Sequence, residues 1–77
     1  MKCIIKFIDD EDTTITVNDV IVTRMKDHHI HFVFPNNKIA IDAYESLPYY
    51  IKSNYRVSVI YNIMYISFDN IVDLIVK

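Results

Sequence analysis

A compact antiparallel β domain of five or six strands, with one short helical segment, is the fold that this sequence predicts. Three observations carry that reading. Residues 56–76, R-V-S-V-I-Y-N-I-M-Y-I-S-F-D-N-I-V-D-L-I-V, form the longest apolar run and are dominated by β-branched and aromatic side chains, which pack well on a pleated surface. Apolar and polar residues also alternate with period two in several short stretches separated by Asn, Asp and Pro, the pattern of strands joined by turns. Only the stretch between Asp42 and Ser53 places apolar residues at clear helical spacing. A small barrel or strongly curved sheet is favoured over a flat one, and an α+β layer with the helix packed on one antiparallel sheet is the alternative.

Taken in order, Lys2–Ile8 alternates with Cys3, Ile5 and Phe7 on one face and Lys2, Ile4, Lys6 and Ile8 on the other. Asp9-Asp10-Glu11-Asp12 is the turn. Thr13–Val17 resumes the alternation with Ile15 and Val17 inward, Asn18-Asp19 breaks it, and Val20–Met25 continues as a strand. After a turn at Lys26-Asp27-His28, His29–Phe34 sets Ile30, Phe32 and Phe34 against His29, His31 and Val33. Pro35-Asn36-Asn37 turns the chain and Lys38–Ile41 reads as a short strand.

Asp42 followed by Glu45 three residues later resembles a capping box, and Ala43, Leu47, Tyr50 and Ile51 then fall at helical spacing. Pro48 would remove a hydrogen bond inside a helix, so it fits better near the first turn of one capped by Ser46. One short helix or two helical turns are expected between Asp42 and Ser53. In the run that follows, Val57, Val59 and Tyr61 face one way, and Met64, Ile66 and Phe68 form the inward set after a turn at Asn62. Residues 15–21 (I-T-V-N-D-V-I) echo residues 66–72 (I-S-F-D-N-I-V). Both read as a strand that bends at an Asx pair and continues in a new direction.

Seventy-seven residues make one small β-rich domain, residues 1–77, near the lower limit for a self-sufficient core. A hydrophobic content of 52% excludes intrinsic disorder and exceeds what so small a domain easily hides. Some apolar surface is therefore expected to meet a partner or a second copy. A net charge of -2 marks neither a nucleic-acid binder nor a strongly acidic decoy. The lone Cys3 cannot form an internal disulfide, no secretory leader is visible and no apolar run spans a bilayer, so a cytoplasmic setting and no membrane are expected.

The chain has no glycine. The phosphate-binding Walker loop, the dinucleotide-binding G-x-G-x-x-G and the G-x-S-x-G nucleophile elbow are excluded with it, because each needs a residue without a Cβ. Asn and Asp, which tolerate positive φ best among the rest, must supply the tight turns. Fourteen Ile stand against two Leu, a bias that AT-rich genomes favour. In size and composition the chain resembles the small accessory proteins of phages and mobile elements in low-GC bacteria. The resemblance is one of style and not of motif; size, the absence of catalytic motifs, the excess apolar surface and the tyrosines make an inhibitor or adaptor of a larger host protein, of the anti-CRISPR or counter-defence type, the expected role.

Four features could carry chemistry. His29 and His31 project from one face of a strand at a spacing that can hold a divalent metal, but only Asp27 stands near as a further ligand, so a solvated polar face and no metal are expected. Asp9, Asp10, Glu11 and Asp12 lack the alternate oxygens and the glycine of a calcium loop. They read as a solvated turn, and if the run binds anything a basic partner surface is the expected target. Cys3 faces inward with nothing to activate it. No enzyme and no cofactor are expected.

The six tyrosines all fall within residues 44–65. Tyrosine supplies large contact area at low entropic cost. Tyr61 is expected in the core, and Tyr49, Tyr50, Tyr55 and Tyr65 are expected to form a partly exposed belt around the helical segment. Ile4, Ile8, Val33, Ile60, Ile63 and Tyr65 oppose the inward sets of their strands and would make a second apolar face if they cluster. A non-enzymatic protein-interaction module is the expected function, with a protein partner and a homodimer held by Ile63, Tyr65 and their neighbours. The alternative is a nucleic-acid-binding small β-barrel, weakened by the acidic balance and the scattered cations.

Overall fold

The computed structural model describes residues 1–7, 14–68 and 71–77, with the backbone alone described for residue 7 and residues 71–73. The described elements run β1 (Cys3–Phe7), β2 (Thr14–Val17), β3 (Val22–Lys26), β4 (His29–Val33), α1 (Asn37–Ser46), α2 (Tyr49–Asn54), β5 (Arg56–Ile60), β6 (Ile63–Ser67) and β7 (Ile71–Val76). They form a three-stranded sheet ordered β2-β1-β7 and a four-stranded sheet ordered β3-β4-β6-β5. Every pairing is antiparallel. The mainly β architecture follows the strand periodicity of the sequence, with seven strands and two helices among the described residues where five or six strands and one helical segment were expected.

Side-chain alternation decides which way each strand faces. Cys3 and Ile5 of β1, Ile15 and Val17 of β2, Ile30 and Phe32 of β4, and Met64 and Ile66 of β6 are buried. Lys2, Lys6, Thr14 and Thr16 between them are exposed. Phe34 and Phe68 continue the inward rows just beyond β4 and β6, and both are fully buried. Burying one such side chain is worth about 1.5–3 kcal/mol. A one-residue slip would turn a whole inward set to water. The places expected for the Phe7 side chain and for Ile8 lie outside the described residues.

The two sheets meet where the chain bends. At Asn18-Asp19 the backbone of Asp19 takes φ 63°, a left-handed conformation that a short polar side chain tolerates. Val20 then pairs with Met1, accepting from the N-terminal ammonium at 2.6 Å and donating to the Met1 carbonyl at 3.1 Å. The next residue, Ile21, donates to the Val33 carbonyl of the other sheet at 2.7 Å. The chain returns to the three-stranded sheet between β6 and β7. The two echoing stretches of sequence thus stand at the two crossings between sheets, although Asp69-Asn70 itself lies outside the described residues.

The helical region corrects the sequence reading. Lys38–Ile41, expected as a strand, belongs to α1. Asn36 is the reason: its side chain accepts from the Ile39 N–H at 3.0 Å and starts the helix upstream of Asp42. Ala40 and Leu47 are buried, and Ile39, Ala43 and Tyr44 pack beside them, so the apolar face runs at 3.6-residue spacing from Ile39 onward. Lys38–Ile41 reads as a strand in the sequence because four residues cannot separate the two periods. Asp42 sits inside the helix, 4.0 Å from Lys38 one turn earlier, and Ser46 donates to the Asp42 carbonyl at 2.8 Å instead of capping. Pro48 separates the two helices. It forces Leu47 into an extended conformation and then supplies the carbonyl that accepts from Ile51 and Lys52 at the start of α2. Both helices pack against the four-stranded sheet at β5, and α1 also reaches β6.

Because Asn36 rather than Asp42 caps the helix, Asn36→Ala is expected to lower stability by about 1 kcal/mol. Asp42→Ala should change it by no more than about 0.5 kcal/mol, as for an exposed side chain away from a cap. Urea denaturation of both variants measures this, and a larger loss at Asp42 would contradict the assignment.

Two turns close hairpins with two residues each. Asp27-His28 joins β3 to β4, with Asp27 at φ 57°. Tyr61-Asn62 joins β5 to β6, with Tyr61 at φ 54°. Tyr61 therefore does not enter the core, contrary to the expectation from alternation: the strand ends at Ile60, and the side chain is 75% exposed at the hairpin tip. The tip is pinned from both sides. The Asn37 amide donates to the Tyr61 carbonyl, and the Asn62 amide donates to the Phe34 carbonyl at 3.0 Å.

Candidate functional site

The four-stranded sheet presents a complete outer face built from three cross-strand rows. Its inner rows are Thr23-Phe32-Met64-Val59 and Met25-Ile30-Ile66-Val57; their β4, β6 and β5 members lie in the core or against it, while Met25 on β3 is 51% exposed. The rows between them must point away, because successive side chains of a strand alternate. The first outer row is Val22-Val33-Ile63-Ile60, the second Arg24-His31-Tyr65-Ser58, and the third Lys26-His29-Ser67-Arg56. Neither helix caps this face, since both contribute their buried residues to the core on the opposite side.

The first row is an apolar stripe across all four strands. Val22 is 39% and Ile60 63% exposed, and Val33 and Ile63 between them are half-buried by their neighbours. Tyr61 extends the stripe at the hairpin tip. An L-residue other than Asn or Asp in the left-handed region costs about 1–2 kcal/mol, so the tip carries strain at the point where it exposes an aromatic ring. Such strain tends to collect at functional positions.

The other two rows are polar and cationic. Arg24, Lys26, His29 and Arg56 are exposed, and none of the twelve residues in the three rows is acidic. Among the described residues Lys38–Asp42 is the ion pair found, so Arg24, Lys26 and Arg56 have no carboxylate partner there. Within the rows, His31 meets Tyr65 edge to face with ring centroids 4.6 Å apart. His29 Nδ1 and Ser67 Oγ share a hydrogen bond of 2.8 Å. At the end of the third row His28, His29, Asn54, Tyr55, Arg56 and Ser67 line a shallow depression.

The structure distributes the sequence-derived candidates unevenly. Ile63 and Tyr65 stand on the outer face, clustered in one patch with Ile60 and Val33. Ile4 lies on the other sheet, paired with Thr16 and Ile75. The tyrosine belt does not form as one surface. Tyr49 and Tyr50 are 81% and 45% exposed on α2, whereas Tyr55 packs against the core with its ring 5.0 Å from Phe68. Tyr44 also packs on the core, with the Lys52 ammonium 5.2 Å over its ring. Asp9, Asp10, Glu11 and Asp12 lie outside the described residues. Sequence reasoning missed Val22, Arg24, Lys26, Arg56 and Ser58 as members of one face. Their strands were visible, but only the cross-strand register places them side by side.

His29 shares its hydrogen bond with Ser67, and His31 meets the Tyr65 ring. Among the described residues no group of three or more His, Cys, Asp or Glu side chains is placed to hold a metal ion. Cys3 is fully buried. Burial pushes its thiol above the ordinary range, while the Thr23 hydroxyl and the N-terminal ammonium pull less strongly the other way. Such a thiol is a poor nucleophile at neutral pH. Among the described residues no helix is long and apolar enough to cross a membrane.

A second cleft, between the bend after β2 and α1, is lined by Thr16, Asn18, Asp19, Ile39, Asp42 and Ser46. It gathers the carboxyl residues Asp19 and Asp42 with the hydroxyl residues Thr16 and Ser46. No family model matches the chain, and neither a curated protein nor a solved structure matches it.

Proposed function

We propose that this chain is a small non-enzymatic protein-interaction module that binds a larger host protein through the outer face of its four-stranded sheet, as an inhibitor or adaptor of the counter-defence type. The supporting observation is the exposed apolar stripe Val22-Val33-Ile63-Ile60, extended by Tyr61 and bordered by Tyr65. Monomeric proteins seldom leave a contiguous apolar patch in water unless it serves binding. Aromatic residues and arginine at its border are the types that interfaces enrich. The free protein is proposed to rest as a homodimer that covers the stripe with a second copy. The proposed setting is the cytoplasm of the host, where Cys3 stays reduced.

A nucleic-acid ligand is the second reading. Arg24, Lys26 and Arg56 beside Tyr65 and His31 offer cations next to aromatic rings, the combination on which single strands stack. The apolar first row and the net charge of -2 count against it.

Affinity capture from host lysate tests the choice when three baits are compared: wild type, Ile63→Lys with Tyr65→Lys, and Tyr49→Lys. The expected result is a protein retained by wild type and by Tyr49→Lys and lost by the sheet variant. Retention by the sheet variant with loss at Tyr49→Lys would move the site to α2. Recovery of nucleic acid alone, released by salt, would replace the proposal with the second reading.

A further inference from the structure

We infer that the partner segment seated on this face is acidic: it sets an apolar or aromatic side chain on the Val22-Val33-Ile63-Ile60 row and carboxylates on the Arg24, Lys26 and Arg56 side chains. This rests on the proposed interaction face and adds the chemistry of what the face takes. The distribution of charge points to it. The chain as a whole has ten acidic residues against eight Lys and Arg, yet its open sheet face carries three of those cations, two histidines and no acid in twelve positions. Those three cations are exposed and have no ion-pair partner among the described residues.

One depression at the end of the third row also gathers residues that can donate to a carboxylate: Arg56, His28, His29, Asn54 and Ser67 line it with Tyr55, and His29 and Ser67 already share a hydrogen bond. A guanidinium fork binds a carboxylate through two parallel hydrogen bonds. A second copy does not fill this role. The pairing that sets two apolar rows together while keeping the cations of the two copies apart leaves both cationic rows in water.

Along a strand, the first and third rows are four residues apart, which is about 14 Å at 3.4 Å per residue. An extended partner segment lying along the strands therefore needs a carboxylate about two residues from its apolar anchor to meet Arg24, and about four residues from it to meet Lys26 or Arg56. Carboxylates on the exposed rim would speed and orient docking more than they tighten it, and their effect falls with salt.

A random peptide library displayed on phage, panned on immobilised protein, tests this even while the partner is unidentified. The baits are wild type, Arg24→Glu with Lys26→Glu and Arg56→Glu, and Ile60→Lys with Ile63→Lys, each first shown to be folded by circular dichroism. The expected wild-type pool is enriched in Asp and Glu spaced about two or about four residues from an aromatic or aliphatic anchor. A synthetic peptide from that pool should bind about tenfold more weakly to the charge-reversed bait and more weakly in high salt. A pool without acidic enrichment that is still lost on the Ile60/Ile63 variant would overturn the inference and leave the interaction face standing. A pool indifferent to both variants, or no enrichment over an unrelated β-sheet protein, would overturn both. Tighter binding of a single-stranded oligothymidylate than of any selected peptide would overturn the inference in favour of nucleic acid.

Discussion

Replacing Phe32 by Ala is expected to lower stability by about 3–5 kcal/mol, as much as any single truncation in a core of this size. Phe32 is fully buried on β4, an inner strand of the four-stranded sheet, with Thr23 and Met64 as its register partners. Its ring is among the largest of the fully buried side chains, beside Phe34 and Phe68. Truncation removes the transfer free energy of the ring and leaves a cavity that two packed sheets cannot close. A domain of this size holds roughly 4–12 kcal/mol in total at 0.05–0.15 kcal/mol per residue. The variant should therefore melt many degrees lower or be unfolded at room temperature. Lys26→Ala, on the outer face of the neighbouring strand, should stay within about 0.5 kcal/mol of wild type. An unchanged melting temperature for Phe32→Ala would mean that the faces of β4 are inverted.

The second large effect concerns self-association. Wild type is expected to be a homodimer at micromolar concentration, and Ile63→Lys a folded monomer. Ile63 sits near the middle of the apolar stripe, between Val33 and Ile60. A lysine there places an ammonium where the second copy would exclude water, which leaves a buried unpaired charge. A central interface residue of this kind typically contributes about 2 kcal/mol or more, so dimerisation should weaken by about thirtyfold or more. Ile63 is half-buried, so Ile60→Lys serves as a second variant: at 63% exposure its lysine disturbs the monomer least. Sedimentation of all three proteins reads the outcome. A dimer that survives both substitutions would place the contact elsewhere, and a folded wild type that stays monomeric at every concentration would remove it.

Much of the fold was legible because the inward sets are large and strictly alternating. Cys3-Ile5, Ile15-Val17, Ile30-Phe32-Phe34 and Met64-Ile66-Phe68 are spaced by two in the sequence and buried in the structure. Periodicity failed where too few residues were available to decide it. Lys38–Ile41 offers only four residues, three of them apolar in a row, and the Asn36 cap makes the stretch helical. It failed again at Tyr61, which continues the alternation of Val57 and Val59 but sits in a turn. A turn was expected at Asn62, but that Tyr61 enters it in a left-handed conformation carries no sequence signal. The turns at Asp19 and Asp27 use the Asx residues that a glycine-free chain was expected to use.

The candidate face was half legible. Outward apolar residues such as Val33, Ile60 and Ile63 could be named strand by strand. Their union with Val22 in one row, and the alignment of Arg24, Lys26 and Arg56 beside it, depend on how β3, β4, β6 and β5 are ordered and registered. Strand order is a long-range property, and no local pattern in residues 22–33 specifies that β6 lies beside β4.

The most direct test of the interaction face is a dilution series followed by amide nuclear magnetic resonance, from millimolar to micromolar protein. A dimer through the outer sheet face predicts concentration-dependent shifts at Val22, Val33, Ile60, Tyr61, Ile63 and Tyr65, with Tyr49, Tyr50 and the exposed positions of α1 unmoved. Shifts confined to α2 or to the three-stranded sheet, or a spectrum that does not change with concentration, would contradict it.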